Sequence, residues 1–383
     1  MNAVSAHVSK PVFSGAQQLY IANAIAKLDE KIAHDKYNLS ANYNKALLQL
    51  SIGDFKNGWE LFEWRLNIPN CKYAYAHFPV KRWKGEDIGG KHLFIWFEQG
   101  MGDHIMCASM LQDIVDKVGP DGTVTVLTMR RLTDIFARSF PGVTFYKVGE
   151  PVPDRLRDWK FDYQLSMSDM GQLTRPSFDA FKHDPFLKAD PAKVAHFKAK
   201  YQAMKNHPDD KLIGVGWRSL NPEYGDHKSV PVEIFMPRWM PSGVTFVNLQ
   251  YGNTLDEISW ARAHGVQIID DMDVDQLVDT DTFAAQVAAM DRVISTSNSG
   301  VHLAGALGVE TTVMVPLGKG RCWYWFSEMK QSPWYRSVTV LRPSGVDDWA
   351  PVINNVWADL SAANMPPLEF LPPLVPHNIE VAA

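Results

Sequence analysis

The chain has 383 residues, 46% of them hydrophobic and 21% charged, with a formal net charge of −5. That length exceeds one ordinary core and predicts two domains with an appendage. The acidic balance argues against a nucleic-acid partner, whose binder usually carries a basic stripe. Three cysteines, Cys71, Cys107 and Cys322, lie far apart. No close ligand pair exists for zinc, and the odd, sparse count does not suit a disulfide framework. With no long apolar stretch at the N-terminus and none approaching the roughly 20 residues that span a bilayer, the expected compartment is the cytoplasm.

Residues 1–66 form the first expected unit. Leu19, Ile21, Ile25 and Leu28 recur near helical spacing, then Ala46, Leu47 and Leu50, then Phe55, Trp59, Phe62 and Trp64 after an interruption at Gly53-Asp54. Small and large apolar residues alternate across this helix–turn–helix as at the end of a tetratricopeptide repeat. At most one and a half repeats fit, where about three are needed for a free-standing solenoid. The segment is therefore expected to pack on the main body, on another subunit or on a protein partner. Residues 67–90 contain Pro, Lys and Gly, break the helical pattern and read as a linker with short structure.

From residue 91 the rhythm changes. HLFIWF (92–97) is a continuous apolar run, followed by a helical stretch from about Asp103 to Val118. TVTVLT (123–128), another helix through Phe140, VTFYKV (143–148) and FDYQLSM (161–167) come next. Short apolar strands alternating with helices predict a parallel sheet covered on both faces. Asp190-Pro191 opens a helix to about Met204, with an acid at the cap and Pro at the first helical position. The alternation restarts with LIGVGW (212–217) and continues through VTFVNLQ, VQIID, RVIST, TTVMVP and VTVLRP (338–343). Hence a first Rossmann-like lobe over 91–205 and a second over 206–365 are expected. The tail 366–383 holds five prolines and is expected to be extended.

Three segments carry candidate chemistry. FEQGMGDHI (97–105) sits at the carboxyl end of a strand and the start of a helix, where open α/β sheets bind ligands. Gly100 and Gly102 permit positive φ and close backbone approach, and Asp103 would project its carboxylate or merely cap the helix. STSNSGVHLAGALG (295–308) runs from a strand into a small-residue helix. Its N-terminal N–H groups suit a diphosphate, with Ser297, Asn298 and Ser299 as neutral donors and His302 either on a phosphate or in the core. GVGWRSLNPEYGDHKSVP (214–231) holds Arg218, His227 and Lys228, either facing a pyrophosphate or solvated. The acidic run Asp270, Asp271, Asp273, Asp275 lacks the Gly and Glu of a calcium loop, and Asp279 reads as the cap of helix 282–290.

The span from Asn44 to about Arg342 resembles bacterial tetratricopeptide-repeat proteins that carry a heptosyltransferase-like glycosyltransferase domain of the GT-B fold. The matching pieces, in order, are GDFKNGWELFEWR, RWKGEDIGGKHLFIWFEQGMGDHI, VGWRS, NLQYG, NSGVHLAGALG and QSPWY. The resemblance implies two Rossmann-like parallel-sheet lobes facing a cleft, and sugar transfer from a nucleotide-sugar to a protein, glycan or lipid acceptor. Neither metal nor other cofactor is implied. Asp103 matches the family's catalytic base. Gly100 and Gly102, Trp217 and Arg218, Lys228, Gln250, and Asn298, Ser299, Gly300 and His302 fall in the donor-binding pieces. Related sequences show Asp-Asn-Ser-Thr or Asp-Thr where this chain has Ser297-Asn298-Ser299-Gly300. The missing acid leaves open a second possibility, a decayed module that binds without turnover. An α/β epimerase of the two-lobed sugar-nucleotide type is the third.

Overall fold

The computed structural model describes residues 10–68, 78–149, 160–236 and 243–360. Cys71, residues 69–77 of the expected linker and the whole Pro-rich tail lie outside them. Three helices open the chain: α1 (Gly15–His34), α2 (Leu39–Ser51) and α3 (Phe55–Phe62). Each begins at a residue suited to the task. Ser14 and Gln17 form a reciprocal capping box. Asn38 Oδ1 accepts the Ala41 N–H at 2.9 Å, and Asp54 caps α3. Gly53, at φ +82°, makes the turn between α2 and α3, where a β-carbon would sit 2.5 Å from the Phe178 ring. Of the predicted stripe, Phe55, Trp59 and Phe62 are buried and Trp64 is half-buried. Phe55 meets Phe178 edge-on with ring centroids 4.9 Å apart, and Trp59 meets Trp323 at 5.3 Å. The helical front is thus part of one aromatic core with later segments of its own unit.

Two compact units divide the chain: residues 1–189 with 305–308 and 322–340, and residues 190–304 with 309–321 and 341–383. In the first, β1 (His92–Trp96) leads into α4 (Met101–Ala108) and α5 (Leu111–Val118). The single helix expected over 103–118 is broken at Ser109-Met110. There the Ser109 hydroxyl turns back onto the Met106 carbonyl at 2.6 Å, offering the backbone a competing bond. Then come β2 (Thr123–Thr128), α6 (Thr133–Ser139), β3 (Val143–Lys147), β4 (Tyr163–Ser166) and the short α7 (Met170–Thr174). All four strands are parallel, in the order β3-β2-β1-β4.

The second unit opens with α8 (Pro191–Gln202), capped by Asp190, whose Oδ1 accepts from Ala192 and Lys193 at 2.9 and 3.0 Å. It continues with β5 (Lys211–Gly216), the single turns α9 (Gly225–Lys228) and α10 (Val232–Phe235), β6 (Val244–Asn248), α11 (Leu255–Ala263), β7 (Ile268–Ile269), α12 (Thr280–Ala288), β8 (Arg292–Thr296), α13 (Ser299–Leu307), β9 (Glu310–Met314), β10 (Val338–Leu341) and α14 (Ala350–Leu360). The six strands follow the order β10-β9-β8-β5-β6-β7. The pairings from β7 through β9 are parallel. Trp357 of α14 is fully buried in this core and donates its indole N–H to the Phe235 carbonyl at 2.9 Å. The acidic run is spent on packing: Asp271 accepts from Lys200 and from the Tyr201 hydroxyl, each at 2.7 Å. Asp279 caps α12 through Thr282 N–H at 2.9 Å. The molecule is an α/β protein with two parallel sheets, as the strand–helix alternation predicts. No described helix is long and apolar enough to cross a membrane.

Candidate active site

Each sheet reverses its strand order once. In the first unit the chain steps from β1 outward to β2 and β3, then returns to place β4 on the other side of β1. In the second it steps from β5 to β6 and β7, then returns to place β8 on the other side of β5. Loops leaving the carboxyl ends of two strands at such a point diverge and leave a crevice, the usual ligand position in open parallel sheets. The candidate turns leave from these places: 97–103 follows β1, and 217–219 and 297–300 follow β5 and β8.

In the first unit, Gly100 is the N-cap of α4, with φ −67° and ψ 172°. This is extended backbone, so the expected positive φ at Gly100 is not used, and Gly102 lies inside the first helical turn. What Gly100 supplies is space. A β-carbon there would stand 3.3 Å from Asp103 Oδ2. The half-buried Asp103 therefore folds its carboxylate back towards the amino end of α4, where the helix dipole favours negative charge. Asp103 is in the first turn of the helix and is not its cap residue.

Behind this turn lies a buried ionic network that the sequence reading missed. Arg65, at the end of the helical front, donates to Glu98 Oε1 from Nε at 2.9 Å and from Nη2 at 2.7 Å. Its Nη2 also reaches Asp169 Oδ1 at 2.7 Å, and its Nη1 reaches the Phe62 carbonyl at 2.9 Å. Ser166 and Ser168 donate to the two oxygens of Glu98 at 2.5 and 3.2 Å. Arg82 pairs with Asp169 and, at 3.2 Å, with Glu63. The Arg65 and Glu98 side chains are 0% and 1% exposed. Burial works against the charge on Arg65, but Asp169 and Glu98 more than offset it and raise the guanidinium pKa. The network thus ties the loop after β1 to the loop after β4, across the switch point, and anchors both to the helical front.

Around Asp103 the titratable groups are kept neutral. Burial pushes the Cys107 thiol up, and the nearby Glu98 and Asp103 carboxylates push it further. Tyr324 is raised by burial, then by Cys322 and Asp103. Tyr335 is raised by burial, then by Cys107 and Asp103. His104, stacked on Phe97 at 4.9 Å, has its pKa lowered to about 3 by burial.

In the second unit, Gly216 ends β5 where a β-carbon would be 2.8 Å from Ser295 Oγ, so this switch point is closed tightly. Asn298 Oδ1 accepts the Gly300 N–H at 2.9 Å, while its Nδ2 donates to Ser295 Oγ at 3.1 Å and to the Arg218 carbonyl at 3.3 Å. Gln250 Oε1 accepts the backbone N–H groups of Trp217 and Arg218 at 3.0 and 2.9 Å. Trp217, Arg218, Gln250, Asn298 and Gly300 therefore form one hydrogen-bonded cluster. Within it Trp217 and Gln250 are buried and hold backbone, and the Arg218 guanidinium faces Glu257 at 3.0 Å. Ser299 and Gly300 begin α13, half-buried. Lys228 and His302 are buried neighbours, and burial together with the Lys228 charge lowers the His302 pKa to about 3.

These two histidines set an acid limit on stability. Both have depressed pKa values in the folded state, so their contribution is complete above about pH 6.5, where the unfolded side chain loses its proton, and falls progressively towards pH 3. By pH 5.5 each is expected to cost about 1 kcal/mol. Urea unfolding at pH 7.5 and 5.5 measures this. His104→Gln should remove about half of the loss assigned to the pair, and an unchanged difference would show that other groups set the acid limit.

No family model matches the chain. The chain is similar to protein FlbA of Caulobacter vibrioides, with 35% identity over 328 residues, covering 82% of this chain and 54% of FlbA. It thus spans about half the length of that relative. Among solved structures it is similar to the glycosyl transferase family 9 protein of Veillonella parvula DSM 2008, with 14% identity, 67% of this chain and 87% of that one covered, and a TM-score of 0.46. It is also similar to the E. coli ADP-heptose lps heptosyltransferase II, with 12% identity, 70% and 98% covered, and a TM-score of 0.46.

Proposed function

We propose that the protein is a glycosyltransferase that moves a sugar from a nucleotide-sugar donor to a hydroxyl of a protein or surface-glycan acceptor, without a metal and with inversion. One observation carries the reading: the motifs that resemble the heptosyltransferase-like family, GMGD and SNSG, leave the carboxyl ends of strands at the switch points of two parallel sheets. A motif match at the wrong end of a strand would have counted against it.

In this reading the Asp103 carboxylate takes the proton of the acceptor hydroxyl as its oxygen bonds to the anomeric carbon. The bond from that carbon to the phosphate oxygen breaks, and the nucleoside diphosphate leaves with the electron pair. The N–H groups at the start of α13 and the Lys228 charge stabilise the negative charge that develops on the diphosphate. The second lobe, expected over 206–365, holds the donor, and the first, 91–205, supplies the base.

The test is incubation of the pure protein with ADP-, GDP- and UDP-sugars, read by thermal shift and by release of the nucleoside diphosphate. A donor at about 100 times its Kd should add about 2.7 kcal/mol of stability, and hydrolysis or transfer should accompany it. Stabilisation with no turnover over any acceptor would replace the enzyme by a binding module. No response to any of the three removes the nucleotide-sugar reading.

A further inference from the structure

The turn after β9, Pro316–Arg321, reads PLGKGR and belongs to neither the candidate motifs nor the hydrophobic core. Gly318 and Gly320 both have positive φ, +76° and +80°, and the turn is closed by the Arg321 N–H on the Gly318 carbonyl at 3.3 Å. Other residue types rarely adopt two such conformations so close together, so the tight reversal around Lys319 is specified by the glycines. Lys319 and Arg321 are exposed, and no acidic residue occurs between Val315 and Ser327.

The turn lies against Lys228 and His227 of α9. A β-carbon on Gly320 would stand 3.1 Å from Lys228 Cγ and 3.3 Å from His227 Cβ, tighter than most side-chain contacts, so the turn packs closely on α9. Lys228 in turn lies close enough to His302 of α13 for its charge to lower the pKa of that ring. The turn before α13 is held beside β9, since the Ser297 N–H donates to the Met314 carbonyl at 3.1 Å. Basic side chains from two loops, Lys228 on one and Lys319 and Arg321 on the other, therefore come from segments that meet beside the α13 terminus, following neighbouring parallel strands.

We propose that the 316–321 turn is a phosphate clamp, in which Lys319 and Arg321 bind the diphosphate of the nucleotide from the side opposite the α13 N–H groups. It rests on the nucleotide-sugar reading above and adds two residues to it. Arg321 offers a planar fork for two phosphate oxygens, and Lys319 a mobile point charge.

The experiment is calorimetric titration of the full chain with ADP, GDP and UDP, and with the matching nucleosides, for the native protein and for Lys319→Ala/Arg321→Ala. Both side chains are exposed, so the melting temperature in the absence of ligand should not change. The double variant is expected to bind the accepted diphosphate at least about tenfold more weakly and to show a shallower salt dependence, while nucleoside affinity is unchanged. Equal diphosphate affinity in variant and native protein overturns the clamp and leaves the nucleotide reading standing. Equal loss for nucleoside and diphosphate also overturns it, because the residues would then be supporting the whole pocket. If the native chain binds none of the three diphosphates, both readings fall.

Discussion

Asp103→Asn is expected to lower kcat by about 10²–10⁴-fold, the usual contribution of a positioned general base. The change replaces one oxygen by an amide of the same shape. Asn keeps the fit against Gly100, where the carboxylate approaches within 3.3 Å of the absent β-carbon, and Asn is tolerated near a helix N-terminus. It cannot take a proton. Because the proton moves only as the glycosidic bond forms, kcat and kcat/KM should fall together, and nucleoside diphosphate affinity should stay within about twofold. Gly100→Ala tests the same geometry from the other side. A methyl group there crowds Oδ2 and should lower kcat with Asp103 still present. A variant Asp103→Asn that turns over at the native rate would reject the base, and a large loss of donor affinity would mean that Asp103 holds the ligand instead.

The fold was readable where one local signal dominated. HLFIWF is a continuous apolar run and TVTVLT and RVIST are short and β-branched, as suits strands of a parallel sheet covered on both faces, and each is a strand at the predicted place. Asp190-Pro191 and Asp279 were readable as helix starts because a short acceptor side chain satisfies N–H groups two or three residues on; Asp54, read only as part of a turn, does the same for α3. The break at Ser109 was not readable, because serine inside a helix is common and only its bond to the Met106 carbonyl shows the turn. The candidate turns were legible from glycine and serine beside strand ends. The roles of the residues around them were less so. Gly100 looked like a residue wanted for its dihedral freedom and is instead wanted for its missing side chain. Trp217, Gln250 and Arg218 sit in a motif-bearing stretch, yet their bonds go to backbone and to Glu257, a partner 40 residues away from Trp217. The Glu98–Arg65–Asp169 network joins positions 33 and 104 residues apart, a separation at which no periodicity speaks. Its one trace was an arginine three residues after Phe62, continuing the spacing of the apolar stripe Phe55, Trp59, Phe62.

That arginine should be costly to replace. Arg65→Met keeps the length of the stem against the Phe62 ring, over which the guanidinium carbon sits at 4.4 Å, and removes only the charge and its donors. Glu98 and Asp169 then remain buried, and Glu98 loses both of its Arg65 bonds, at 2.9 and 2.7 Å. Breaking a buried ion pair from one side typically costs about 3–5 kcal/mol, because an uncompensated charge is left behind. The urea midpoint should fall accordingly. The triple variant Arg65→Met/Glu98→Gln/Asp169→Asn leaves no buried carboxylate uncompensated at these positions, so it should recover a large part of the stability. It should not recover activity to the same degree. The carboxylate of Glu98 fixes the loop from which Asp103 emerges, and a misplacement of about 1 Å in such a loop can cost about 100-fold in rate. Stability and turnover should therefore separate: the single variant loses both, the triple variant chiefly turnover. If the triple variant is as active as the native chain, the network serves folding alone and the helical front has no part in aiming the base.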